Sequence, residues 1–359
     1  MKSFLTQFGT DYIFILFLVV VFWRSRKIEG EKDCFITQED GVSLRGAATL
    51  AVMMHHLSLS AKQGILLHGF FDSQVAVNAV TLFFFLSGYG MQKQYMAKGD
   101  IYRKNFMKKR FPTVLIPFAV VAVLYWVIYY ALGDPYTWDE LLSDIRAGIP
   151  FVAYSWFMIA IMVFYLFFWL LMSIFRRRVQ WMPIAACGCY LLYAFTCIKL
   201  KYLMLWYDTA HLFPVGMFFA VHEQKLLKAL KNRYLYITII IIGLICGTVC
   251  TLYPILVWPM SVRLYYFVSI SRVLSLTTVI VLLQLKIKID NPVLRYIGKI
   301  SMETYLLHGL IFYLLRGDYY HLKSEPLFCF LSLGCVILFA SLLHPVDNFL
   351  LRAWKRAVK

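Results

Sequence analysis

The sequence predicts an all-α, polytopic bundle of about eleven transmembrane helices, and three observations carry that prediction. The chain is 61% hydrophobic and only 15% charged, with a mean hydropathy of +0.69, whereas soluble chains run near ~45–50% apolar and ~25% charged. The apolar residues gather in runs of about 20, the length that crosses a hydrocarbon core of ~30 Å. The Lys and Arg gather in short loops between those runs, as topology-setting charges do.

Taken in order, the spans are expected near 5–23, 42–60, 74–92, 111–132, 151–175, 181–198, 202–221, 234–253, 262–285, 295–315 and 326–350. The first follows a lone Lys2 and has no small-residue cleavage site before Arg24, so it reads as a retained helix rather than a cleaved signal peptide. Each later span is bounded by charge, and the bounding loops alternate. The segments 24–41, 93–110, 176–180, 222–233, 286–299 and the tail from 351 hold 26 of the 36 Lys and Arg, and the opposite loops hold 8. Cytoplasmic loops carry the excess of cations, so the N-terminus is expected outside and the C-terminus inside. Residues 133–149, with Asp134, Asp139, Glu140 and Asp144, form the largest outer loop. No polar stretch is long enough for a soluble domain, so any chemistry belongs to the bundle.

A net charge of +17 would raise nucleic acid as a partner for a soluble protein. Here the cations sit between membrane spans, and there is no RNA-binding signature, basic arm or Gly/Arg repeat, so no nucleic acid is expected. The eight cysteines (34, 187, 189, 197, 246, 250, 329, 335) lie mostly inside apolar runs without zinc-ligand spacing; they read as small core hydrophobes, and no metal is expected.

Ionisable groups at membrane depth are costly and point to function. The second span holds Arg45, His55 and His56, the seventh Asp208 and His211, the ninth Arg272, and the tenth Glu303 and His308. Arg45 and His56 are separated by close to three full turns, roughly 16 Å of rise, and share a helix face; His55 is turned about 100° away. An Arg near the helix end with an imidazole deeper on the same face suits an anionic cofactor whose reactive end reaches inward. An Arg snorkelling to headgroups and a His bonded to a neighbouring helix fit the spacing equally well. Glu303 and His308 fall on different faces. Asp208 and His211, three apart, can touch, either to orient an imidazole tautomer or as a polar pair between helices. Ser87-Gly88 is either a small-residue packing contact or a close backbone approach to a ligand.

Several segments together resemble the membrane acyltransferase-3 family, the multi-pass O-acyltransferases of bacterial surface glycans. Leu44-Arg45-Gly46-Ala47-Ala48 leading to His56 is similar to the family's opening motif, a basic residue and a histidine with ten residues between. Phe83-Phe84-Phe85-Leu86-Ser87-Gly88-Tyr89 resembles its aromatic-x-Leu-Ser-Gly-aromatic segment, and Trp156-Phe157 with Phe164-Tyr165-Leu166 its central helix, without the glutamates of some branches. Lys108-Lys109-Arg110-Phe111-Pro112-Thr113 before Ile116-Pro117 is similar to a paired-arginine motif in which Thr113 replaces the second arginine, leaving Lys108 or Lys109 to supply the charge. Ile297-Gly298-Lys299-Ile300-Ser301 through Tyr305-Leu306-Leu307-His308 resembles the late Gly-Lys-x-Ser…Tyr-Leu-x-His signature.

The resemblance implies a ten-helix acyltransferase domain over 42–350, preceded by an added helix and loop (1–41) and followed by a basic tail (351–359). It implies transfer of an acyl group, most often acetyl from acetyl-CoA, to a hydroxyl of a cell-surface or lipid-linked glycan in the bacterial cytoplasmic membrane. An imidazole takes a hydroxyl proton near neutral pH at little cost, which makes His56 the expected base or transient acyl carrier. Arg45, Lys109 and Arg110, with Ser87, are expected to hold the coenzyme phosphates. Glu303 and His308 are expected to build the pocket or polarise the carbonyl. A transporter or flippase of a glycan or acyl substrate is the competing class; the sequence carries no inverted repeat and no Gly/Pro-interrupted pair of spans in matching halves, as such a path would require.

Overall fold

The computed structural model describes residues 10–62, 64–71, 77–257, 259–317 and 321–358. Its helices, in order, are α1 Asp11–Phe22, α2 Gln38–Ser60, α3 Ile65–Phe70, α4 Val77–Lys98, α5 Asp100–Lys109, α6 Pro112–Ala131, α7 Trp138–Ala147, α8 Trp156–Ile174, α9 Met182–Lys199, α10 Leu212–Val221, α11 Glu223–Leu230, α12 Arg233–Leu256, α13 Val262–Leu283, α14 Pro292–Lys299, α15 Ser301–Arg316 and α16 Glu325–Ala357. The strands among the described residues are one antiparallel pair, β1 (Arg26–Lys27) on β2 (Ile287–Lys288). The protein is an all-α polytopic bundle.

Among the described residues six stretches are long and apolar enough to cross a membrane: Asp100–Ala131, Trp156–Ile174, Val179–Lys199, Arg233–Pro254, Val262–Leu283 and Glu325–Ala357; α1 and α10 are shorter apolar helices. Helices α2 and α4 are 23 and 22 residues long but less apolar, because their polar residues turn inward: Asp40, Ser43, Thr49 and Ser58 in α2, and Asn78, Thr81 and Gln92 in α4, are all buried.

Local chemistry moves several expected boundaries. Helix α2 starts four residues before 42 because Thr37 and Asp40 form a capping box, which satisfies two orphan N–H groups at once. The expected outer loop contains α7, started by the Thr137/Glu140 capping box and stopped by Gly148 at φ 73°. The expected span 295–315 is two helices, α14 and α15, that meet at Ile300. The expected span 202–221 is α-helical only from Leu212, with a short 3-10 turn at Met204–Trp206 ahead of it. There the Trp206 indole donates to the Gly148 carbonyl at 2.9 Å and the Tyr193 hydroxyl to the Trp206 carbonyl at 3.0 Å. Irregular backbone at such depth is stable where protein surrounds it. Of the first and third expected spans, residues 5–9 and 74–76 lie outside the described residues.

Loops far apart in sequence meet at the two ends of the bundle. At one end Lys32 pairs with Asp40, Lys231 with Glu31, Lys93 with Glu223, and Lys288 with Glu39, while the Trp354 indole donates to the Lys108 carbonyl. At the other, Arg316 pairs with Glu325, whose carboxylate also accepts from the Lys62 N–H, and Asp11 accepts from the N–H groups of Ile65, Leu66 and Leu67. The segments with the excess of Lys and Arg are those at the first end, hereafter the basic end.

Two glycine contacts set the inner packing. A Cβ on Gly46 of α2 would stand 2.1 Å from the Leu294 carbonyl oxygen of α14, and one on Gly298 would stand 2.0 Å from that of Val42. The same reciprocity joins α4 and α10: Gly88 to the Phe213 oxygen at 2.1 Å and Gly216 to the Phe85 oxygen at 2.2 Å. Small residues are what let helix backbones touch in a bilayer.

Candidate active site

The polar residues of α2, α4, α6, α14 and α15 line an inner cavity of about 310 Å³ at the basic end, walled by Arg45, Ser87, Arg110, Thr113, Lys299 and Tyr305 among others. Three of its lining residues are cations, and none of them is a carboxylate. Among the described residues neither Arg45 nor Arg110 enters an ion pair; the Arg110 guanidinium lies over the Tyr165 ring, 5.6 Å from its centroid. Two guanidinium groups kept together without a counter-ion suit an anion such as a phosphate. The glycine contacts explain the placement. Gly46 lays α2 against α14, which brings Arg45 beside Lys299, and Gly88 lays α4 against α10 while its neighbour Ser87 faces the cavity. Ser87-Gly88 is thus a packing contact and a cavity wall, one residue for each.

Tyr305 stands between the cavity and a cluster of imidazoles. Its hydroxyl donates to the Tyr154 carbonyl at 2.9 Å. Beyond it the ring of His56 stacks on Tyr154 with centroids 3.7 Å apart, and His308 stacks on both, 5.0 Å from His56 and 5.3 Å from Tyr154. His308 is fully buried. Its Nδ1 lies 2.6 Å from the Tyr305 carbonyl, and a carbonyl only accepts, so Nδ1 carries the proton and Nε2 keeps its lone pair. That Nε2, like Nδ1 of His56, is buried without a hydrogen-bond partner. His55 is different: its Nδ1 donates to the Phe71 carbonyl at 3.0 Å, which ties α2 to the end of α3.

The structure therefore brings together Arg45, Ser87 and Arg110 as one group, and His56 and His308 as another. It does not bring Glu303 or Lys109 to either. Glu303 turns to the opposite side of α15, where its Oε1 accepts from His344 Nδ1 at 2.7 Å in α16. Lys109 is exposed and does not line the cavity. Neither Lys108 nor Lys109 lines the cavity beside Thr113; its cations besides Arg110 are Arg45 of α2 and Lys299 of α14. Asp208 and His211 do not pair: Asp208 Oδ2 accepts from Ser269 at 3.0 Å, Arg272 also donates to that serine, and both ring nitrogens of His211 lack hydrogen bonds. Among the described residues no group of three or more His, Cys, Asp or Glu could hold a metal ion.

Three residues of the site carry no spacing signal in the sequence. Tyr154, the ring against which His56 lies, sits in a connection and takes φ 62°, a left-handed backbone that is rare outside glycine. Lys299 and Tyr305 belong to a recognisable segment, but only the break at Ile300 turns both into the cavity.

A family model described as an acyltransferase domain matches residues 43–344. Neither the curated proteins nor the solved structures give a match. A match over most of the chain, on a bundle with at least six helices long and apolar enough to span a bilayer, identifies a multi-pass membrane acyltransferase of the acyltransferase-3 family.

Proposed function

We propose that the protein is an O-acyltransferase that moves acetyl from acetyl-CoA to a hydroxyl of a cell-surface or lipid-linked glycan. The observation that supports this best is the order of groups along one path: the unpaired guanidinium groups of Arg45 and Arg110, then Tyr305, then the stacked imidazoles of His56 and His308. An acyl-CoA has the same order, phosphates first and thioester last. Arg45, Arg110 and Ser87 hold the phosphate portion from the basic end, which is the cytoplasmic side in this reading.

The acceptor hydroxyl gives its proton to the imidazole pair as its oxygen attacks the thioester carbonyl. The C–S bond then breaks, and the thiol leaves with the proton. His56 is the base. His308, whose Nε2 keeps a lone pair, is the second proton acceptor beside it. Arg and phosphate pair strongly because the charged forks are bidentate, so the arginines act on binding and the histidines on turnover.

Incubation of the purified protein with radiolabelled acetyl-CoA and a glycan extract tests the reading. Label in the glycan as an alkali-labile ester, absent with His56→Ala, is the expected result. Retention of thioester with no ester formed rejects it and returns the transporter as the better account.

A further inference from the structure

Three cavities at the basic end share walls. The inner cavity of about 310 Å³ shares Arg45, Leu86 and Arg110 with a chamber of about 600 Å³, and that chamber shares Thr37 and Gln38 with an outer cleft of about 1160 Å³. The shared walls set the three cavities in series from the surface towards Tyr305. The outer wall of the series is the segment from Arg26 to Lys32 together with Lys288, fixed by the β1–β2 pair that sets Arg26 opposite Lys288. This segment precedes residue 43 and so lies outside the part of the chain shared with the family.

Charge along the series falls in two places. At the neck stand Arg45 and Arg110, with Lys93 held by Glu223 at 2.8 Å. At the rim Lys32 is held by Asp40 at 2.8 Å and Lys288 by Glu39 and Asp290 at 3.4 and 3.5 Å. Arg26 and Lys27 are exposed there, and among the described residues they enter no ion pair; Glu29 is the remaining carboxylate of the cleft. Between rim and neck the shared walls are the uncharged Thr37 and Gln38.

The inner cavity is at the small end of sites that hold drug-sized ligands, ~300–1,000 Å³, so it seats only one end of a nucleotide-bearing thioester. The rest must lie in the chamber and cleft. Coenzyme A carries phosphate at two places, a diphosphate in mid-molecule and a monophosphate on the ribose. We propose that the outer cleft is the subsite for the phosphorylated nucleoside end of the acyl donor, with Arg26 and Lys27 binding its ribose phosphate and the neck arginines its diphosphate. This rests on the reading of acyl-CoA as donor. It gives the N-terminal segment a part in donor selection that the family domain alone does not supply.

The test uses the full chain in uncharged detergent and compares kcat/KM for acetyl-CoA with that for acetyl-dephospho-CoA, which lacks only the ribose phosphate. The unsubstituted protein should prefer acetyl-CoA by about 10-fold, the effect of losing one charged hydrogen bond. In Arg26→Ala/Lys27→Ala the ratio should fall to near one, and Arg26→Lys/Lys27→Arg should restore most of it. The ratio is insensitive to how much protein folds, and the unsubstituted preference needs no variant. Equal use of both donors, or a preference unchanged by the alanines, overturns the subsite alone; the former is also the outcome if the rim cations serve a lipid headgroup. Failure of the unsubstituted protein to consume either thioester overturns the donor reading itself.

Discussion

The imidazoles of His56 and His308 lie face to face, centroids 5.0 Å apart and planes 28° from parallel, although one comes from the last turns of α2 and the other from the middle of α15. In the proposed function the two rings act as one proton-accepting unit. Alanine at either position should lower turnover by about 10²–10⁴-fold, the usual range for a general base, and the double variant should be little worse than the poorer single one, because groups acting as a unit are non-additive. Single-turnover transfer from labelled acetyl-CoA measures this, with elution volume as the control for folding; a double variant whose loss is the product of the two singles contradicts the shared role.

In the proposed function Arg45 and Arg110 bind the donor rather than react. Arg45→Ala and Arg110→Ala should each raise the donor KM by about 10–100-fold, corresponding to a charged hydrogen bond of ~1.5–3 kcal/mol, with a smaller change in kcat. His55→Ala should leave the donor KM within about 3-fold, since that ring is turned to the Phe71 carbonyl and side-chain–backbone bonds are worth ~1 kcal/mol. Steady-state kinetics on the purified variants separates the two groups.

Gly46 and Gly298 hold α2 against α14 with no room for a methyl group on either side. Gly46→Ala should destabilise by at least the ~1–3 kcal/mol of an overpacked core and scatter the cavity residues carried by both helices. Gly90→Ala, where a Cβ meets nothing within 4 Å, should change little. Thermal unfolding in detergent, followed by tryptophan fluorescence, compares them.

Asp290 closes the basic end. It accepts from both Nε and Nη2 of Arg295 at 2.6 Å and from Ser43 Oγ at 2.7 Å, and the Arg295 hydrogen bonds above all hold its carboxyl well below the usual carboxylate range. A depressed pKa contributes stability that is complete above the unfolded value, ~3.9, and is lost as pH falls through the lower folded value. Asp290→Asn should therefore be less stable than the parent at pH 7, and the gap should narrow below about pH 4. A gap of constant size from pH 7 to pH 3 would mean the carboxylate charge contributes nothing.

Glu303 gives a contrasting result if its place beside His344 defines its role. Glu303→Ala should lower the melting temperature through lost α15–α16 packing and leave the donor KM of the folded fraction within about 3-fold, since removing one partner of a buried pair is a stability effect. Thermal unfolding and kinetics on the same preparation read both. A large fall in kcat with an unchanged melting temperature would return Glu303 to the chemistry.

How much was legible in the sequence varies with the range of the interaction. Apolar runs and loop cations depend on residues a few turns apart, and they are enough to predict the helical bundle and the sorting of its cations to one end. The 202–221 segment was misread because its hydropathy resembles a helix, whereas its backbone is held by Trp206 and Tyr193 through contacts to residues elsewhere. Glu303 shares a helix and a motif with His308, and sequence separates their faces but says nothing of what each face meets.

By itself, then, the sequence determined a membrane-embedded helical bundle with its cations sorted to one end, because hydrophobicity and charge act on each segment independently of its neighbours; acyl transfer entered only through the resemblance of its motifs to a family. Tertiary structure alone decided that Arg45 and Arg110 share a cavity while Lys109 does not, that Tyr154 backs His56, and that the Arg26–Lys32 segment walls the approach. Those are contacts between helices distant in sequence, fixed by where Gly46, Gly88, Gly216 and Gly298 let backbones touch, and close packing between helices leaves no periodic trace along any one of them.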